Sequence, residues 1–199
     1  MIKQLTLFFL SAVIFLPTMT NSQNKKATDY LKVPGPVSFD STSYKLDWSS
    51  HPADTYYKQE YLPAGQVTGK YKSMLLIEAL VSDKTVKEIA TQKIEELKQM
   101  KQSNPMVNYN NFENPNTGEY IIDFLLTANN ADGSISIIER NVYRYKTFTT
   151  ASGKKGILLF GASQREYGDK ATAFLKSMKT NKDKLVNLVA KFQVPAITL

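Results

Sequence analysis

The chain has 199 residues, a formal net charge of +7 and no cysteine. Its apolar content of 42% suffices for one real core and excludes wholesale disorder. The missing thiol excludes disulfides, a cysteine nucleophile, thiolate metal sites and an anchor through an acylated cysteine.

Met1–Ser22 has the order of a secretory signal peptide. Lys3 supplies the positive start, Leu5–Leu16 is apolar with only Thr6 and Ser11 intervening, and Pro17 ends the run. Thr20 and Ser22 are small enough for the −3 and −1 positions, which places the cut between Ser22 and Gln23. The apolar run is far shorter than the roughly 20 residues that span a bilayer core. No transmembrane span is therefore expected after cleavage. Without disulfides or an Asn-x-Ser/Thr sequon, the expected location is the bacterial periplasm or the medium.

Residues 23–36 are polar and end in Pro34-Gly35-Pro36, a flexible lead closed by a rigid turn. Strand signals begin at Val37, with Tyr44, Leu46 and Trp48 expected on one face. Ser49–Asp54 is predicted to be a loop carrying the single histidine, His51. Thr55–Leu62 is the next strand, and Lys72–Val81, apolar almost throughout, fits a central one. The period then changes. Thr85 and Glu88 form a capping box, and Val86, Ile89, Ala90, Ile94, Leu97 and Met100 make one apolar stripe that ends before Asn104-Pro105. Met106–Phe112, Glu119–Ala128, Ser134–Thr149 and Ile157–Ala162 read as an antiparallel meander with short turns. Within it, Tyr120, Ile122, Phe124 and Leu126 share a face. Two helical stretches close the chain, one using Ala171, Phe174, Leu175 and Met178, the other Leu185, Leu188, Val189 and Phe192. The predicted fold is a single α+β domain over 37–199. It has an antiparallel sheet of about six or seven strands, a central helix at about 85–102 and C-terminal helices at about 169–192.

The sequence carries no motif for chemistry. His51 has neither Ser49 nor Ser50 in a G-x-S-x-G elbow, and Gly153-Lys154-Lys155-Gly156 lacks P-loop spacing. No cofactor or metal is expected. Strand carboxylates at Glu60, Glu78, Asp123 and Glu139 leave open an envelope hydrolase built on a carboxylate pair. A small-ligand or lipid-binding protein is a further alternative, requiring an apolar cavity between sheet and helices. The leading expectation is a non-catalytic module that binds a protein partner in the cell envelope. Its aromatic and basic strand residues, Tyr56, Tyr57, Tyr61, Arg140, Tyr143, Arg144 and Tyr145, are the candidate partner surface. They follow no RNA-binding pattern, so nucleic acid is not an expected partner.

The KSMLLIEALV strand, the helix opened by Ser82-Asp83-Lys84-Thr85, the meander and the terminal helix after ILLFGAS occur in a familiar order. Over roughly 40–192 the chain resembles the PsbP/DcrB-like α/β/α sandwiches, the group that includes the Ran-binding Mog proteins. That resemblance implies a sheet covered by helices on both faces and a binding or assembly role without catalysis. It assigns no functional residue.

Overall fold

A computed structural model describes residues 26–199. The expected signal peptide and the cut after Ser22 lie outside the described residues.

Eight strands form one antiparallel sheet in the order β1-β2-β3-β4-β8-β7-β6-β5. They are β1 (Val37–Phe39), β2 (Thr42–Ala53), β3 (Tyr56–Pro63), β4 (Ser73–Val81), β5 (Asn108–Glu113), β6 (Tyr120–Asn129), β7 (Ile135–Thr149) and β8 (Lys155–Tyr167). The sheet is two four-stranded meanders whose last strands, β4 and β8, pair at the centre. Helix α1 (Val86–Ser103) carries the chain from the central β4 to the far edge at β5. A 3-10 turn at Gly168–Lys170 leads into α2 (Ala171–Thr180) and α3 (Lys182–Lys191).

Among the described residues the strand count exceeds the predicted six or seven, and there are three helices. Asp40 and Ser41 explain the extra strand. Both take positive φ, 44° and 61°, as the centre of a two-residue hairpin turn requires. The run read as one strand from Val37 is thus folded back into β1 and β2. The loop predicted at Ser49–Asp54 is strand through Ala53, because β2 and β3 form one long hairpin. A bulge in that hairpin breaks the expected alternation. Leu46 pairs with Tyr61 and Trp48 with Glu60, so Asp47 is the additional residue and Trp48 turns to the opposite face. Trp48 is 39% exposed there, while Tyr44 and Leu46 join the core.

The sheet separates two main cores. On one face Leu76, Ile122, Phe124, Leu126, Tyr143, Tyr145 and Leu159 pack beneath Val86, Ile89, Ala90 and Leu97 of α1. On the other, Leu75, Ile77, Val142, Leu158, Phe160 and Ala162 pack beneath Leu185 and Val189 of α3. The α1 stripe and its capping box are as predicted: Glu88 N donates to the Thr85 hydroxyl, and the Glu88 carboxylate accepts from Thr85 N at 2.7 Å. Part of the expected flexible lead is held to the body. Leu31 and Val33 are buried, Leu31 N donates to Gln59 Oε1 at 2.6 Å, and Thr198 N donates to Leu31 O at 2.9 Å. Among the described residues, no helix is long and apolar enough to cross a membrane.

Candidate functional site

The seven residues predicted as a partner surface do not share one exposed face. Alternation along β7 sends Arg140 and Arg144 to the α3 face and Tyr143 and Tyr145 to the α1 face. Tyr143, Tyr145, Tyr61 and Arg140 are buried, and Tyr56, Tyr57 and Arg144 are half-buried. Their sequence proximity reflects β propensity and core demand. A tyrosine ring fills volume while its hydroxyl finds a partner, so aromatic residues in strands need not be exposed.

Both arginines hold α3. Arg140 pairs side-on with Asp123, Nε to Oδ1 at 2.9 Å and Nη2 to Oδ2 at 2.9 Å, and also donates to the carbonyl of Lys182 at the start of α3. Arg144 pairs with Glu119 and donates to the Phe192 carbonyl at 2.9 Å and the Val189 carbonyl at 3.4 Å. A cation at the last carbonyls of a helix opposes the partial negative charge there. The helix has no side-chain cap at its N-terminus, and Arg144 supplies donors to the carbonyls at its C-terminus.

The α1 face carries a buried polar belt across β3, β4, β8 and β7. Lys58 Nζ lies 3.4 Å from Glu60 Oε1 and 3.7 Å from Glu78 Oε1, and the Tyr56 hydroxyl donates to Glu78 Oε2 at 2.7 Å. Lys93 of α1, only 4% exposed, reaches into the same belt, pairs with Glu96 at 3.0 Å and sits 5.1 Å over the Phe124 ring. Burial holds Lys93 below the ordinary lysine value despite Glu96. Burial pushes Glu60 up, partly opposed by Lys58. Burial alone would lower Lys58, but Glu78 and Glu60 outweigh it and raise it. Tyr56 is pushed far up, first by burial and then by the Glu78 charge. At the other end of the belt Tyr71 donates to Glu139 Oε2 at 2.8 Å, Arg165 pairs with the same carboxylate, and its guanidinium lies 4.0 Å over the Tyr71 ring. Asn141 and Ser163 complete that end, Asn141 Nδ2 donating to Glu139 Oε1 at 3.1 Å and Ser163 to Asn141 Oδ1 at 2.5 Å.

The four strand carboxylates therefore have distinct fates. Asp123 is on the α3 face with Arg140, and Glu139 is saturated by Tyr71, Arg165 and Asn141. Glu60 and Glu78 come together, but a lysine ammonium stands between them. Sequence reasoning missed Lys93, which interrupts an otherwise apolar stripe and was the one available signal for a buried charge under α1. His51 is also not a loop residue. It lies on β2, stacks on Tyr57 with centroids 4.1 Å apart, and its Nδ1 is 3.0 Å from the Tyr56 carbonyl.

The two sheet edges differ. At one end β1 has three residues, follows Pro36 and buries Val37 and Phe39. At the other, β5 pairs with β6 in unbroken register over six residues, and all but Tyr109 are exposed. Among the described residues its outer edge has no partner strand. NYNNFE contains no proline and no lysine, the usual means of blunting an edge, and Phe112 is 48% exposed on it.

A protein-family model matches residues 31–194. The chain belongs to that family. No curated protein and no solved structure matches it. The family match begins at Leu31, the buried residue pinned to Gln59, and runs through every strand and helix of the domain.

Proposed function

We propose that the chain is a non-catalytic binding module working outside the cytoplasm, where it takes an extended segment of a protein partner as a ninth strand on β5. The observation that carries this reading is the free, unblunted β5 edge, which contrasts with the short β1 edge. Main-chain hydrogen bonds to an open edge supply affinity, and a flanking exposed side chain such as Phe112 supplies specificity. The signal-like order of Met1–Ser22 supports action in the periplasm or medium. The commitment of Glu139 and Asp123 to arginines supports a role without acid–base chemistry. Helices on both faces of an antiparallel sheet support placing the fold with the PsbP/DcrB-like sandwiches.

The test is a photo-crosslinking residue at position 111, on the exposed face of β5, compared with one at Thr91 on the outer face of α1. A discrete heavier adduct from 111, absent from Thr91 and lost when Asn110 becomes Lys, is the expected result. No adduct from 111, or the same adducts from both positions, would overturn the strand-addition reading.

A hydrolase is the second reading. It is favoured by Glu60 and Glu78 alone, two carboxylates that both meet the Lys58 ammonium. It requires that Lys58 leave that position. Hydrolysis of envelope glycans lost in Glu78→Gln, with folding retained, would favour it over a binding module.

A further inference from the structure

A groove of about 470 Å³ lies on the α3 side of the sheet, away from β5, between the β1–β2 turn and α3. Pockets that bury small ligands run from roughly 300 to 1,000 Å³. Its apolar lining is Phe39 at the end of β1 together with Leu188 and Phe192. Phe39 and Phe192 meet edge to face at 5.3 Å, and Phe192 stacks at 4.5 Å on Phe160 in the core beneath. The floor is thus continuous with the main core and set by three rings.

The charge on its rim is net positive, with Lys184 and Lys191 against Asp40. Residues three and four apart on a helix share a face, so Lys184, Asn187, Leu188 and Lys191 form one stripe along α3, with an ammonium at each end. Lys184 is already engaged, its Nζ 3.1 Å from Asp40 Oδ2 across the groove. Among the described residues the Lys191 ammonium holds no ion pair or hydrogen bond, which leaves one positive charge in excess beside the aromatic floor. An apolar trough with a single unspent cation suits one ligand chemistry: an apolar tail that lies on Phe39, Leu188 and Phe192 and an anionic head that meets Lys191.

We propose that this groove binds a single-chain anionic amphiphile, a medium- to long-chain carboxylate or its phosphate-headed counterpart, with the head at Lys191. The site is separate from β5 and stands whether or not a partner strand adds there. Lys191 is exposed and Leu188 is half-buried at the margin of the core, so neither substitution removes a fully buried side chain.

Calorimetric titration of the purified chain with decanoate, decyl phosphate, decyltrimethylammonium and acetate tests this. Decanoate or decyl phosphate should saturate one site about tenfold or more tightly than decyltrimethylammonium, the gap expected from one charge-assisted contact. The better of the two anions identifies the headgroup. Acetate, which lacks a tail, should show no saturation. Lys191→Glu should cost the anions at least about tenfold and narrow or reverse the preference over the cation. Leu188→Asn should weaken anion and cation alike, with circular dichroism confirming an unchanged fold. Equal affinity for decanoate and decyltrimethylammonium, no saturable binding of either anion, or full affinity retained in Lys191→Glu would overturn the proposal.

Discussion

The two helical layers are attached to the sheet by different means. Helix α1 brings its own determinants, a capping box at Thr85 and Glu88 and an apolar stripe along its eighteen residues. Helix α3 has ten residues and no side-chain N-cap, and depends on Arg140 and Arg144 reaching up from β7 to its backbone. A short helix is marginal alone, so α3 exists because the sheet receives it. The contrast extends to buried charge. On the α3 face the arginines act as ties between layers, whereas on the α1 face Lys93 is a cation that the apolar stripe carries under the helix.

Several substitutions can break or sharpen this contrast. The largest effect is expected from Arg140→Ala, which strands Asp123 and removes the tie to Lys182. Losing one partner of a buried pair costs about 3–5 kcal/mol, read as a lowered urea midpoint. A loss far below that would mean that the Asp123 pair and the tie to Lys182 contribute little. Leu97→Ala, at a fully buried position of the α1 stripe, should cost about 2–5 kcal/mol through lost transfer energy and the cavity left behind. Thr85→Ala should cost about 1 kcal/mol by uncapping α1, an effect with no counterpart at the start of α3.

The smallest effect at neutral pH is expected from Lys93→Met, and its signature is a pH slope. Folded Lys93 releases its proton at lower pH than the unfolded chain does, because burial outweighs Glu96 and Glu78. Between those two values the unfolded chain binds more protons, so stability rises with pH through the interval beneath the ordinary lysine value of 10.5. Lys58, which also faces Lys93, adds to the repulsion that is relieved. Lys93→Met should abolish that component of the rise. Denaturation midpoints of both proteins between pH 8 and pH 10 check this, and parallel profiles would refute it.

Legibility in the sequence followed how local each determinant is. The α1 boundaries, the central character of β4 and the shared face of Tyr120, Ile122, Phe124 and Leu126 rest on periodicity and capping within one segment. Trp48 faces away from its predicted side because one bulge residue, Asp47, reverses the side chains that follow it, up to a second irregularity after Ser50. Arg140, Tyr143, Arg144 and Tyr145 looked like one surface because they are neighbours in sequence. Alternation divides them, and what covers each face decides whether it is exposed.

By itself the sequence determined the α+β class, the meander and the absence of thiol chemistry, since each follows from composition or local spacing. Only the tertiary structure decided the eight-strand order, with β4 against β8 and β5 left at an open edge. It alone enclosed Lys93 with Lys58 and Glu78, and set the α3 lysine stripe beside Phe39. Strand order, burial and groove shape depend on contacts between residues far apart in the chain, and local propensity contains no term for those.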